Sequence, residues 1–156
     1  AEAAGTIGSL YLQGEYFWYN VDRGFLGLPS VKFQGGYAQA GYVLTGESRV
    51  YNPSTGAYGG VVPANPFSWA AGGWGAWEIA GRVSTMDLND QLGVATGVAG
   101  GRQTIYTAAL NWYVNRNIRF MLNYLHGDVA RQISATNAGN AGSKFDAFAM
   151  RTQVAF

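Results

Sequence analysis

The chain has 156 residues, including 23 Gly, 10 Tyr, 8 Phe and 5 Trp, while charged residues make up only 12% of it. This composition excludes a disordered chain, which would be charged and poor in aromatic residues, and the absence of Cys excludes a disulfide scaffold. A net charge of +1 without a basic cluster is not typical of a nucleic-acid-binding protein, and no stretch stays apolar for the ~18 residues that a membrane-spanning helix needs.

Alternation of apolar and polar residues dominates the sequence. Between residues 102 and 115, for example, Tyr106, Leu110 and Trp112 alternate with polar residues such as Thr107. A period of two residues is typical of β-strands whose two faces meet different surroundings, and helical spacing fits these segments less well. The pattern predicts an all-β protein with six strands, over residues 5–23, 31–47, 74–87, 102–115, 117–128 and 144–156.

The predicted connections differ greatly in length. Residues 115–117 form a tight turn, whereas residues 88–101 and 129–143 are long and rich in small and polar residues. Short turns at one end and long loops at the other are typical of outer-membrane β-barrels. The exception is the segment 48–73, a long connection with Pro and Gly on the short-turn side. Either two further strands lie there or the segment folds back as a structured loop into the lumen, and we favour the loop.

The aromatic residues sort by strand end. If the last strand ends on the periplasmic side, three outward-facing residues fall at the periplasmic rim, namely Trp77, Trp112 and Phe156. On the same basis five others fall at the external rim, namely Tyr16, Trp18, Tyr106, Tyr124 and Phe148. Two aromatic girdles that bracket an apolar band are typical of a barrel wall in lipid. We therefore predict an antiparallel transmembrane β-barrel in contact with outer-membrane lipid.

Residues of the opposite parity are mostly polar and are expected to face inward. A wall of hydrogen-bonding and charged side chains suits a water-filled channel. The predicted pore-lining residues are Glu15, Glu47, Arg49, Glu78, Arg82, Asn111, Arg119, Asn123 and Arg151. With four Arg and three Glu, this wall would be only mildly positive. The alternative role for these charges is structural, in wall-stabilising pairs such as Glu78 with Arg82 or Glu47 with Arg49.

Several short runs carry a family resemblance. They are residues 44–51, 63–67 and 75–78 with Arg82, followed by Asn111-Trp112-Tyr113 and the terminal Val154-Ala155-Phe156. In this order they resemble the C-terminal part of the phosphate-selective porin O and P family, and the last two runs are similar to its final strands and outer-membrane assembly signal. The resemblance extends from about residue 5 to the end of the chain.

The resemblance implies a barrel of about sixteen strands that forms homotrimers in the bacterial outer membrane and passes small anions such as phosphate by passive diffusion. Six strands cannot close such a barrel, so residues 1–156 would form the C-terminal part of a single barrel domain. The remaining strands would come from upstream sequence or from other chains. Because the chain opens at Ala1 without a Met or an apolar leader, we expect a mature product or a part of a longer protein.

No residue pattern indicates catalysis, a metal or a cofactor. The only His, His126, has outward parity and no Ser arranged beside it as a nucleophile. One His without any Cys predicts no metal site, and the Gly-rich residues 97–101 lack the Lys-Ser/Thr of a phosphate-binding loop. We therefore expect a channel rather than an enzyme. Two alternatives stay open, a soluble or surface β-sandwich that binds carbohydrate and a structural barrel subunit of a larger outer-membrane assembly.

Overall fold

The computed structural model describes residues 1–54 and 56–155, and Phe156 lies outside the described residues. Within these ranges the regular structure consists of strands and one short 3-10 helix, Gly24–Leu26. The strands are β1 (Glu2–Ile7), β2 (Leu10–Val21), β3 (Val31–Val43), β4 (Tyr51–Asn52), β5 (Ala57–Tyr58), β6 (Ala76–Asp90), β7 (Val98–Tyr113), β8 (Ile118–Ala130) and β9 (Ser143–Val154). Among the described residues, no helix has the length and apolar character needed to cross a membrane.

Seven strands form one antiparallel sheet in the order β1-β2-β3-β6-β7-β8-β9. Each strand pairs with its neighbour in sequence, apart from the step between β3 and β6, where β4 and β5 form a small separate hairpin. The all-β antiparallel architecture predicted from the alternation is thus confirmed. Within the described residues the large sheet has β1 and β9 as its two edges.

The strand prediction over residues 5–23 is wrong, because this region contains two strands joined at a tight turn. Gly8 adopts a left-handed φ of 58° between β1 and β2, a conformation that Gly adopts without steric cost. The sequence of β1, Glu-Ala-Ala-Gly-Thr-Ile, consists mainly of small and polar residues, so alternation does not reveal it. The large sheet therefore has seven strands rather than six. The other five predicted strands each match one observed strand to within a few residues at each end.

The two faces of the sheet differ in chemistry. One row across the sheet, here assigned to the apolar face, consists of Leu10, Tyr42, Ile79, Leu110, Leu122 and Met150. A row on the opposite side, here assigned to the polar face, consists of Gln13, Gln39, Arg82 and Thr107. From Tyr42 to Met150, the members of the apolar row are between 39% and 80% exposed. A soluble sandwich would cover such a face with a second sheet, whereas in the described structure the apolar face stays open.

Burial is confined mainly to the short-turn end of the sheet. There Val43, Val61, Ala76 and Tyr113 form a small apolar cluster. Val61 belongs to the long connection between β3 and β6, and residues 56–61 of that connection lie over the polar face. The fold-back that we favoured is therefore observed for this part of the connection, whereas its path into a lumen stays a prediction. The two further strands that we had weighed against it exist only as β4 and β5, which stay outside the large sheet.

Candidate functional site

The polar face gathers the side chains that the sequence assigned to a pore wall. The pairing register places seven of the nine on this face, namely Glu15, Glu78, Arg82, Asn111, Arg119, Asn123 and Arg151. The other two, Glu47 and Arg49, follow β3 in the folded-back loop. Parity along the strands was therefore sufficient to place the strand residues on a common face. Their role in lining a pore stays a prediction.

A buried ion pair fixes the loop to the sheet. The guanidinium of Arg49 donates in parallel to both carboxylate oxygens of Glu78, with Nε–Oε2 at 2.7 Å and Nη2–Oε1 at 2.9 Å. Asn111 donates from Nδ2 to Glu78 Oε1 at 2.6 Å, and Arg49 Nη2 donates to the Tyr113 hydroxyl at 2.6 Å. These four residues are called the Arg49–Glu78 cluster below. Such a planar fork is the strongest and most directional ion pair that side chains form.

The cluster is electrostatically self-contained. Glu78 is 0% exposed and the Arg49 side chain is 12% exposed, so Glu78 is shielded from bulk water and Arg49 is largely shielded. Burial alone would lower the pKa of Arg49, but the hydrogen bonds and charge of Glu78 reverse this effect and raise it. Removing one member of such a pair leaves an uncompensated buried charge, which costs about 3–5 kcal/mol. The pair therefore holds the loop against the sheet.

The expected pairs of Glu78 with Arg82 and of Glu47 with Arg49 do not form. Glu78 and Arg82 lie four residues apart on one extended strand, which separates their Cα atoms by about 13 Å. Glu47 instead accepts hydrogen bonds from the hydroxyl of Thr45 and from the backbone N–H of Ala64, the latter at 2.9 Å. Burial alone would raise the pKa of Glu47, but these two hydrogen bonds, together with one from its own backbone N–H, lower it below its ordinary value.

Aromatic rings extend the contact between loop and sheet. The ring of Tyr11 lies over Gly41, where the Cβ of any other residue would collide with it. Above Tyr11 lie Arg49, with Cζ 4.6 Å from the ring centroid, and the Tyr58 ring at 5.3 Å. The Tyr58 hydroxyl also donates to the Leu12 carbonyl at 3.2 Å. The sequence analysis missed Tyr11 and Tyr113, although both share the inward parity of their strands.

Beside the loop, the polar face forms an open concave region of about 630 Å³. Its charged lining residues are all Arg, namely Arg49, Arg82 and Arg119, and polar side chains surround them, including Gln39, Ser84, Thr107, Asn111 and Asn123. Arg82 Cζ lies 4.0 Å from the ring centroid of Tyr37, and Arg119 Nη2 donates to Gln153 Oε1 at 2.6 Å. In the described chain neither Arg82 nor Arg119 has a carboxylate within 4.0 Å. Within the described residues, no ion pair therefore neutralises the charge of Arg82 or Arg119.

The family model described as phosphate-selective porin O and P matches residues 1–156. The chain belongs to this porin family. It is 29% identical over 159 residues to Porin O of Pseudomonas aeruginosa, a match that covers 99% of this chain and 34% of Porin O. It is 37% identical over 123 residues to a protein of Caulobacter vibrioides described as uncharacterized, covering 79% of this chain and 23% of that protein. This porin-family chain thus spans about a third or less of the curated relatives it matches.

The apolar face of this porin-family chain carries the predicted girdle residues. At the short-turn end Trp77 and Trp112 stack at 5.4 Å, and Phe120, which the sequence analysis left out, stacks on Trp112 at 5.6 Å. At the other end Tyr16 meets Trp18 at 4.7 Å, Tyr124 meets Phe148 at 5.1 Å, and Tyr106 lies in register with His126. The step of six residues from Tyr106 to Trp112 separates the two groups by roughly 20 Å along the strand. A membrane role for these groups stays a prediction.

Membership of a porin family favours a non-enzymatic role. His126 lies on the apolar face, where its Nδ1 is 2.8 Å from Asp146 Oδ1, and the Tyr124 hydroxyl donates to the same oxygen at 2.6 Å. Neither partner is an activated Ser or Cys nucleophile. Within the described ranges, no group of three or more metal-ligating side chains comes together.

Proposed function

We propose that this chain forms part of the wall of an outer-membrane porin, with the polar face towards a water-filled pathway and the apolar face towards lipid. The pathway carries small hydrophilic solutes by passive diffusion, with anions such as phosphate preferred. Family membership and the two-faced sheet support this proposal. The observation that carries the anion preference is the open concave region, because Arg82 and Arg119 line it without a carboxylate partner in the described chain.

Two Arg side chains of the polar face carry charges that no carboxylate of the described residues pairs with. Glu78 is buried and neutralises Arg49, while Glu47 accepts hydrogen bonds from the loop itself. A guanidinium can pair with two oxygens of a phosphate at once, which favours this anion over a cation of similar size. Arg82 and Arg119 are placed to act in this way, since neither has a carboxylate partner in the described chain.

The apolar face supports a lipid environment. Its central row is both apolar and exposed, a combination that costs free energy in water and none in hydrocarbon. The edges β1 and β9 present unpaired backbone groups, which a bilayer does not tolerate. We infer that further strands, from the rest of a longer chain or from other chains, pair with these edges to close the barrel. Assembly into a homotrimer is part of the same proposal and rests on the family alone.

Chemical modification of single cysteines in the full-length protein tests which face lines the pathway. Thr107→Cys places a thiol on the polar face, and Leu110→Cys places one on the apolar face of the same strand. With the protein in a planar bilayer, a charged thiol reagent should reduce the current through Thr107→Cys and leave that through Leu110→Cys unchanged. Equal block of both variants, or of Leu110→Cys alone, would contradict the assignment. Solubility without detergent would favour the β-sandwich alternative. A folded barrel without conductance would favour the structural-subunit alternative.

A further inference from the structure

The connection between β3 and β6 has two arms that lie on opposite sides of the wall. The inner arm, residues 49–54 and 56–61, lies over the polar face through the Arg49–Glu78 cluster. The outer arm, residues 64–75, turns to the other side. The Phe67 ring meets the Trp112 ring at 5.4 Å, and Trp112 Nε1 donates to the Trp74 carbonyl at 2.8 Å. Because Trp112 belongs to the apolar face, the outer arm lies against the face proposed to contact lipid.

The outer arm carries exposed indole rings without any charge. Trp69 is 91% exposed and Trp74 is 73% exposed. Residues 64–77 contain no Asp, Glu, Lys, Arg or His, although exposed connections normally carry such residues. Trp69 packs on Phe67 at 5.1 Å, so its ring continues the row of rings that runs through Trp112 to the rest of the short-turn girdle. Large exposed aromatic groups in an uncharged segment mark an interaction surface.

A backbone scaffold holds the outer arm in this position. The Phe67 N–H donates to the Val114 carbonyl at 2.8 Å, which ties the arm to the end of β7. The Gly75 N–H donates to the Asn65 carbonyl at 3.0 Å, and Ser68 pairs with Gly73 across the turn. The arm is therefore a formed element that presents Trp69 and Trp74 at a fixed height on the wall.

We propose that the outer arm binds the headgroup region of the phospholipid leaflet at the short-turn end of the wall. An indole has an apolar body and a single N–H donor, which suits the boundary between acyl chains and headgroups better than either bulk phase. The arm widens the contact between this end of the barrel and the membrane beyond what the strands supply. The inference rests on the proposed function, since it needs the apolar face to lie in lipid.

The test places a nitroxide spin label at three positions of the full-length porin, with cysteines elsewhere replaced by Ser. Ala70→Cys reports on the outer arm while leaving Trp69 and Trp74 in place. Val50→Cys, an exposed residue at the start of the inner arm, is the aqueous control. Leu122→Cys on the apolar face is the lipid control. Each protein is reconstituted in phosphatidylethanolamine and phosphatidylglycerol vesicles, and collisions with O2 and with a water-soluble nickel chelate are measured.

The expected result is an O2-to-nickel collision ratio at Ala70 that lies between a high ratio at Leu122 in the acyl chains and a low ratio at Val50 in water. A collision ratio at Ala70 as low as that at Val50, together with a high ratio at Leu122, would overturn the inference about the arm and leave the proposed function standing. A label at Ala70 that neither reagent reaches would also overturn it, because another protein surface would then cover the arm. A nickel-accessible label at Leu122 would instead refute the lipid-facing wall itself. Channel current through each labelled protein checks that the barrel has folded.

Discussion

Substituting Glu78 tests how the folded-back loop is held. Glu78 accepts hydrogen bonds from Arg49 at 2.7 and 2.9 Å and from Asn111 at 2.6 Å, and it is fully buried. Glu78→Gln keeps the shape of the side chain, removes its charge, and turns an NH2 group towards these donors. Loss of one partner from a buried pair costs about 3–5 kcal/mol. Since about 1.4 kcal/mol corresponds to a factor of ten, the population with a released loop should rise by roughly 10²-fold to a few thousand-fold.

Hydrogen exchange measures this release directly. In the full-length porin, peptides from residues 49–61 should exchange much faster in Glu78→Gln than in the parent, as followed by mass spectrometry. The matched control is Glu15→Gln, which alters an exposed carboxylate on the same face and should stay within about 0.5 kcal/mol of the parent. The double variant with Arg49→Gln removes both charges and should recover part of the loss. Equal exchange in Glu78→Gln and Glu15→Gln would refute the reasoning.

Three further predictions concern the loop and the wall. The pKa of Glu47 is lowered in the folded protein, so the ionised carboxylate stabilises the fold above its ordinary pKa, and this stabilisation is lost as the pH falls through the lowered value. Hydrogen exchange of the loop should therefore become faster in acid. Glu47→Gln should abolish the part of this pH dependence that Glu47 causes. Gly75→Ala should destabilise the protein by about 1–3 kcal/mol, because Gly75 has φ 70° and its added Cβ would collide with a backbone carbonyl of β7. Gly72→Ala also places a side chain at a positive φ, but its Cβ meets open space. Urea unfolding should therefore show a smaller loss of stability for Gly72→Ala than for Gly75→Ala. Leu122→Arg should destabilise the reconstituted barrel by about 2–4 kcal/mol, because its charge would enter lipid. Thr107→Arg, on the polar face, should change the stability little. Equal losses of stability in the two variants would contradict the assignment of the faces.

The sequence was sufficient to predict features that depend on local periodicity. Alternation placed Arg82 and Thr107 on one face and Trp112 on the other, because side-chain direction in a strand follows residue parity alone. The turn at Gly8 was missed, since β1 has too few apolar residues to show an alternation of its own. Length and composition alone sufficed to recognise the connection over residues 48–73 as a structured loop.

The contacts of the loop could not be predicted in the same way. Arg49 and Glu78 are 29 residues apart, and their pairing depends on the path that the loop takes over the sheet. No local pattern encodes that path, so the nearest carboxylates in sequence were chosen as partners. The division of the loop into an inner arm and an outer arm could not be predicted from the sequence for the same reason. In consequence the expected balance between Glu78 and Arg82 does not exist, because Glu78 is bound by Arg49 instead.

The central claim is that the Arg-lined polar face favours the passage of anions. The most direct measurement is the reversal potential of the full-length porin in a planar bilayer under a KCl gradient, before and after substitution of Arg82 and Arg119 by Gln. The account predicts an anion-selective potential in the parent protein and a clear shift towards zero in the double variant. A cation-selective parent, or a potential that the two substitutions leave unchanged, would contradict it.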